Sequence, residues 1–588
     1  MTKLIRRLAC MVLALALVIC AGYAEETPAS EITVGSLTQM SGMFFTDGWG
    51  NNTADADVRA LLHGYSTVDM FQNGQYGIDE TVCRAYPNPD KDGNVVYTFY
   101  LNKNLTYSDG TPITARDYAF SVLLQSSPAL AELGANITSY TQIVGQDAYA
   151  AGETQVFTGV RIVNDTTFSL AVKAEYLPDF HELMLVKVTP YPIHVIAPDC
   201  QVLDDGEGAY IDGAFDAETL KATLLDPETG YCSHPSVVSG PYTLTSYEDH
   251  VAVLTRNEAY RGNYQGVKPT IEKITFKQVF NETLVEQLKN GEIDLVNKVS
   301  SADVMDAAAE TEGIASVTYD REGLAFLAFA CENEPVSSAN VRKAIDRLVD
   351  VDALCQGYLK GHGAPVYGYY GNGQWMVKKA GQEAIDALNL YPYDVDEAIA
   401  LLEADGWTLE DGASLRTKDG QELTINWVRP EISEVADLLE SMLTENFAKA
   451  GIGLTVTKMS YEDLSAAYYR QTDRSEYDMF FLGSNFGMTF NAYPAVSTEA
   501  AYQGAWNTTA IADAELEALA LDMNRTKPGE TKAYTEKWLA FQTRWVEDLP
   551  MAPLYSNEYA DLFTEHLQNY RPDTHFSWAA AILDAYVK

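Results

Sequence analysis

Residues 423–456 constrain the fold more than any other stretch. Leu423, Ile425 and Trp427 alternate with polar residues, the period of a strand, and Pro430 closes the run. Val435, Leu438, Leu439, Met442, Leu443 and Phe447 then recur at helical spacing, and Gly451 supplies a helix stop. Ile452, Leu454 and Val456 alternate again. Strand, helix and strand in that order predict a βαβ unit with parallel pairing and a right-handed crossover. Similar patterns stand elsewhere. Asn281 is placed to cap a helix carrying Leu284, Val285 and Leu288, with Gly291 as its stop and a strand beginning at Ile293 and Leu295. Thr114 and Asp117 form a short capping box ahead of Tyr118 and Val122, and Val341, Ala344, Ile345, Leu348 and Val349 mark another amphipathic helix. Helices and strands alternate through most of the chain, so the expected class is α/β. At 588 residues more than one domain is expected, with no Pro/Ser-rich linker to separate them.

The N-terminus carries a second message. Lys3, Arg6 and Arg7 precede an apolar run from Leu8 to Ala21, followed by Gly22-Tyr23-Ala24 and then Glu25 and Glu26. This is the layout of a secretory signal, with residues 1–24 removed on export. The run is shorter than the roughly 20 residues of a membrane-spanning helix. Cys20, in Leu17-Val18-Ile19-Cys20, offers a second processing route as a lipidated cysteine, although Ile19 is bulky for that role. The expected location is therefore the periplasm or the outer face of the cytoplasmic membrane.

Charge and cysteine usage narrow the partners. A formal net charge of −43 repels phosphate backbones, which argues against nucleic acid. It favours a soluble monomer. A hydrophobic content of 47% calls for a real core, not acidic disorder. Beyond the signal, Cys83, Cys200, Cys232, Cys331 and Cys355 show no CxxC spacing, so neither a zinc site nor a redox pair is expected. Cys200 and Cys232 could pair in an oxidising compartment; buried free thiols are the alternative.

A search for catalytic groups returns little. His181-Glu182 lacks the second histidine of a zinc-protease helix, and neither a GxSxG elbow nor a phosphate loop with GK[ST] is present. With 83 acidic side chains, any carboxylate pair proposed for glycoside hydrolysis has almost no specificity. No catalytic residue, cofactor or metal ligand is assigned. Gly371-Asn372-Gly373 reads as a turn. Aromatic residues in polar, Gly-rich settings are more informative. Phe44, Phe45 and Trp49 precede Asn51, and Ser484, Asn485 and Phe486 follow a strand expected over 477–482. Aromatic faces beside amides suit a pocket for a polar organic solute, or ordinary loop packing.

Four segments together carry a family resemblance. Tyr107-Ser108-Asp109-Gly110-Thr111-Pro112-Ile113-Thr114-Ala115-Arg116-Asp117 closes the most specific of them. Ser239-Gly240-Pro241-Tyr242-Thr243-Leu244, Arg256-Asn257-Glu258-Ala259-Tyr260 and Gly291-Glu292-Ile293-Asp294 follow in order. Asn340-Val341-Arg342-Lys343-Ala344-Ile345-Asp346-Arg347 and Tyr477-Asp478-Met479 complete the set. The chain resembles the family 5 extracellular solute-binding proteins, the peptide-binding components of ABC importers. The resemblance implies a two-lobed periplasmic-binding-protein-like fold with an extra subdomain and a ligand cleft between lobes joined by a hinge. On it, residues 25–318 form lobe 1 with an inserted subdomain at about 66–200, residues 319–554 form lobe 2, and residues 555–588 return to lobe 1.

The same resemblance implies capture of a small solute, above all a peptide, by lobe closure, and delivery to a membrane permease with its ATPase. A non-peptide solute such as a glycan fragment or metal chelate is the alternative; a secreted hydrolase and a surface receptor stand further off. Carried over as ligand-contacting residues are Trp49, Asn51, Tyr461, Ser484, Asn485 and Phe486. One departure stands out. Where peptide-binding members place an aspartate for the peptide's α-ammonium, this chain has Asn485, and an amide lacks the charge for a strong ion pair. Asp47 or Glu462 could replace that carboxylate, or the solute has no free amino terminus.

Overall fold

The computed structural model describes residues 30–50, 52–71, 74–487, 489–504 and 506–588. The signal segment, Cys10, Cys20 and Asn51 lie outside the described residues.

The predicted βαβ unit is present. Thr424–Pro430 and Gly453–Met459 pair in parallel, with Ile425 opposite Leu454 and Trp427 opposite Val456. Between them runs the helix Glu434–Ala450. Its start is fixed by the Ser433 side chain, which accepts from the Ala436 N–H, and by Glu434 and Asp437 in the first turn. Its end is Gly451 in the left-handed region at φ +74°. Val435, Leu439, Leu443 and Phe447 are buried, each contributing about 1.5–3 kcal/mol by leaving water. Leu438 belongs to the predicted stripe but stays exposed at its edge.

This unit belongs to a 12-stranded sheet organised around one strand, Met551–Thr564. The last part of that strand pairs antiparallel with Ile314–Asp320 and Leu295–Val299, on the side that continues to Glu31–Ser36, Lys273–Gln278 and Val251–Arg256. Its first part pairs antiparallel with Gly323–Phe329, on the side that continues to Met479–Asn485 and the βαβ unit. Gly323–Phe329 is buried at all seven positions. Leu324, Phe326 and Ala328 face one core with Trp538 and Trp545, while Ala325, Leu327 and Phe329 face another with Trp427 and Phe447. A continuous apolar run is what a strand covered on both faces requires. The architecture is thus α/β with two lobes joined by crossing strands. A separate four-stranded antiparallel sheet, within residues 83–172, carries its own core against the helix Ala115–Gln125.

The Thr114–Asp117 capping box forms as predicted. Two expectations change, and one open alternative is decided. The helix near residue 284 starts at Leu284 after Thr283, because Phe280 O accepts from both the Thr283 and Leu284 N–H groups and closes a turn there; Asn281 does not cap it. The strand expected over 477–482 is Met479–Asn485, extended by pairing of Gly483, Ser484 and Asn485 with Ala325, Leu324 and Gly323. Cys200 and Cys232 are both buried free thiols, and Cys200 Sγ lies 3.4 Å from Ala214 O.

Candidate ligand cleft

The crossing region includes Gly371-Asn372-Gly373, read from sequence as a turn, and two residues that carry no sequence signal. Arg321 and Glu322 join Ile314–Asp320 to Gly323–Phe329. Gly371-Asn372-Gly373 lies flat against them. A Cβ on Gly371 would stand 2.1 Å from Gly323 N, and one on Gly373 would stand 2.5 Å from Asp320 O, so only glycine allows this approach. The Gly373 N–H and the Ser556 hydroxyl both donate to Arg321 O, and the Asn372 N–H donates to Ser556 Oγ. Three chain segments are strapped together at one point.

Arg321 crosses from this point to the strand end that sequence reading singled out. Its Nε donates to Asn485 Oδ1 (2.6 Å), Nη1 to Asn557 Oδ1 (3.0 Å) and Nη2 to Ser484 O (3.2 Å). Among the described residues, no carboxylate pairs with it within 4.0 Å, so its charge meets only neutral acceptors. Asn485 is exposed, yet its carbonyl oxygen is engaged by this guanidinium. The Phe486 N–H donates to Glu322 O (3.0 Å), and the half-buried Phe486 ring stands edge-on to Tyr369 at 4.7 Å and to Phe490 at 5.2 Å. Tyr369 in turn stacks on Trp545. Ser484, Asn485 and Phe486 are therefore brought together with Arg321 and an aromatic wall.

Trp49 and Tyr461 sit on other elements. The Trp49 indole N–H donates to Leu133 O (3.0 Å), and its ring packs on the core of the four-stranded sheet. Tyr461 is 72% exposed at the start of a helix. Asp47 and Glu462 are exposed too.

Glu322 is the carboxylate that sequence reading missed. Its side chain is 14% exposed, and burial pushes its carboxyl up to about 8 from the ordinary 4.5. Its nearest charged partner is His575 Nδ1 at 3.9 Å; burial lowers the pKa of that imidazole. Two cavities lie nearby, although neither is lined by Glu322 or Arg321. One, of about 290 Å³, is lined by Tyr76, Phe180, His181, Trp375, Lys379 and Thr531. Burial lowers His181 to about 4, and its Nε2 is a buried atom with no hydrogen-bond partner. The other, of about 370 Å³, is lined by Ser66, Asp69, Asp79, Lys187, Tyr264 and His575 among others. Gly74 lines the first cavity and abuts His575 of the second: a Cβ there would meet the imidazole at 2.8 Å.

Beyond the first cavity the two sides touch directly. Phe180 stacks on Tyr534 at 4.1 Å and on Trp375 at 5.7 Å. The Phe180 N–H donates to Asn524 O (2.9 Å), and Arg525 donates to Leu177 O (3.0 Å) and Glu175 O. Among the described residues, no cluster of three or more His, Cys, Asp or Glu is arranged to hold a metal, and no helix is long and apolar enough to cross a membrane.

A two-lobed α/β molecule with strands crossing between its halves fits the class of the periplasmic binding proteins. The family model of bacterial extracellular solute-binding proteins, family 5 Middle, matches residues 87–505, and the chain belongs to that family. A similar curated relative is the periplasmic oligopeptide-binding protein OppA of Escherichia coli K12, 24% identical over 360 residues, which are 58% of this chain and 59% of OppA. The chain's match thus spans about three fifths of that relative's length. Lactococcal OppA, solved with an endogenous peptide in the closed conformation, superposes with a TM-score of 0.72 at 16% identity, covering 95% of this chain and 100% of its own. The periplasmic EDTA-binding protein EppA gives a TM-score of 0.74 at 15% identity over 96% of this chain and 99% of its own. At such identities these structures establish the shared fold.

Proposed function

We propose that this protein is the extracytoplasmic binding component of an ABC importer, that it captures oligopeptides between its lobes, and that it hands them to a membrane permease driven by an ATPase. The observation that carries the reading is a pair of neighbouring cavities, one walled by Phe180 and Trp375 and both lined by a few enclosed polar groups. Such a site suits an organic solute with a polar backbone. A ligand touching both lobes stabilises the closed arrangement, and closure is then the signal that a permease reads. No bond is broken, so the chain is not an enzyme. It works as a monomer, exported on residues 1–24, in the periplasm or at the outer face of the cytoplasmic membrane through Cys20. Residues 25–318 and 555–588 form one lobe, with a subdomain at about 66–200, and residues 319–554 form the other. Ser484, Asn485 and Phe486 wall the ligand, and Trp49, Asn51 and Tyr461 border it.

A metal chelate or another anionic solute is the second reading. Arg321 among neutral acceptors favours it, since a guanidinium with spare N–H groups attracts carboxylates. A melting screen separates the two, because a ligand that binds only the folded form raises its stability. The expected result is a shift with oligopeptides and none with chelates or glycan fragments. Shifts confined to chelates or glycans would replace the peptide reading, and turnover of polymer or ester substrates would remove the binding-only one.

A further inference from the structure

The segment from Ala174 to Val186 belongs to one side of the molecule and reaches into the other. Both of its ends are tied to the four-stranded sheet. At the start, the Ala174 N–H donates to Asn94 Oδ1 (3.0 Å), just ahead of the strand Val95–Leu101. At the end, the Tyr97 hydroxyl of that strand donates to Glu182, and Gln142 Nε2 donates to Leu185 O (2.9 Å). Leu177 and Leu183 pack on the core of this sheet. Phe180, midway between them, packs instead on the core that holds Trp538 and Trp545. Its stacking partner Tyr534 is itself fixed there, since the Tyr534 hydroxyl donates to Phe490 O (2.8 Å). A ring carried by one side is thus inserted into the core of the other.

Around that ring the hydrogen bonds go to main-chain oxygens. The Phe180 N–H donates to Asn524 O, and the Arg525 guanidinium donates to the carbonyls of Glu175 and Leu177. Asn524 ends the helix Ala514–Asn524, whose Leu516, Ala520 and Met523 are buried in the second core. Within the segment, Asp179 Oδ1 accepts from the His181 N–H (2.7 Å) and holds the turn that presents Phe180. Every donor and acceptor in this set belongs to the chain, so the set needs no solute to form. A guanidinium, with several donors in a fixed fork, is suited to hold two carbonyls at once. The cavity of about 290 Å³ is bounded by the same two sides: Phe180, His181 and Leu183 from one, Trp375, Pro528 and Thr531 from the other. Making the contact and enclosing that cavity are one event.

We propose that Arg525 is a positioning residue for closure: by clasping the carbonyls of Glu175 and Leu177 it favours the closed arrangement by the same factor whatever solute is captured. This rests on the closure reading above and adds to it a contribution made by the protein alone. A binding-competent form that is populated only in part weakens the observed affinity in proportion to its fraction. A clasp raises that fraction before any solute arrives, so it strengthens the binding of every solute alike. A residue that touches the solute acts differently, favouring some solutes over others. Arg525 is exposed and lines neither cavity, which gives it the position for the first role and not for the second.

The test compares the full mature chain with its Arg525→Ala variant by isothermal titration and by small-angle X-ray scattering. The probes are penta-alanine and the same peptide with its central residue replaced by lysine or by glutamate. Arg525→Ala should weaken all three by one common factor, about threefold to tenfold, as expected for the loss of two exposed hydrogen bonds. Without solute, the variant should have the larger radius of gyration; at saturation with penta-alanine the two radii should coincide. Its melting temperature without solute should hold, because Arg525 lies outside both cores. A loss that differs more than about threefold between the peptides would make Arg525 a solute contact and overturn the clasp. Unchanged affinities, or equal radii without solute, would also overturn it and leave the peptide reading standing. If none of the three peptides binds the parent chain, the peptide reading falls, and the two solute-free radii alone decide for or against the clasp.

Discussion

Asp561 and Glu322 lie in the same crossing region, and both are enclosed by protein. Asp561 sits on Met551–Thr564 and accepts from the Tyr319 hydroxyl (2.8 Å), the Tyr570 hydroxyl (2.5 Å) and the Lys298 N–H (2.9 Å). Beside it, Lys298 Nζ reaches Asp57 at 3.3 Å, and Asn297 donates to the same carboxylate. Glu322 has none of this. Burial alone distinguishes nothing, since both groups have it and burial raises the pKa of each. The donors distinguish them: an acid that is fully answered ties strands together, whereas Glu322 has no donor among the described residues and keeps only its burial.

The comparison breaks most visibly at Asp561. Asp561→Ala leaves two tyrosine hydroxyls and the Lys298 N–H without their acceptor, and should cost about 3–5 kcal/mol in denaturant unfolding. A loss under about 1 kcal/mol would mean that the network does not hold the crossing strands. The next effect is a pH slope. Glu322 stands at about 8 in the folded chain against 4.5 ordinarily, so the folded form binds the extra proton between those values. That stabilisation is complete below about 4.5 and is lost as pH rises through about 8. Stability should fall over this window in the parent chain, and fall less in Glu322→Gln; parallel curves would contradict the assignment.

A smaller effect is expected where the lobes meet without charge. Phe180→Ala removes two stacked contacts and should weaken peptide binding by about tenfold, near 1.4 kcal/mol, while the unfolding free energy changes less. The reverse pattern would place Phe180 in the folding core and not in closure. The smallest structural effect belongs to Asn485→Ala, which removes one acceptor of Arg321 at an exposed site. Stability should stay within about 0.5 kcal/mol, with affinity reduced. Unchanged affinity in a titration would remove Asn485 from the ligand wall.

The fold was legible where it is local. Residues 423–456 announce their βαβ unit because period, cap and stop are all near in sequence, and the Thr114–Asp117 box is legible for the same reason. The most specific family segment turns out to be scaffold. Tyr107 is buried, its N–H donates to Thr111 O around Gly110 at φ +87°, and Ser108 bonds to Val238 on a distant segment. Of the residues nominated from sequence, Ser484, Asn485 and Phe486 are the ones the structure brings together. Glu322 was invisible because nothing near it in sequence signals that Gly371, Phe486 and His575 converge on it. Asn485 looked free to meet a ligand because its partner, Arg321, is 164 residues away. The cysteines fit this pattern: Cys200 and Cys232 looked pairable in sequence, and the fold places both in the core as free thiols.

Capture by closure of two lobes is the central claim, and small-angle X-ray scattering of the mature chain tests it most directly. Curves recorded without solute and at saturation with the oligopeptide that shifts the melt most should differ. The account predicts a smaller radius of gyration in the bound state, as the two sides meet over the cavities beside Phe180 and Trp375. Identical curves at a concentration where calorimetry shows the peptide fully bound would contradict it.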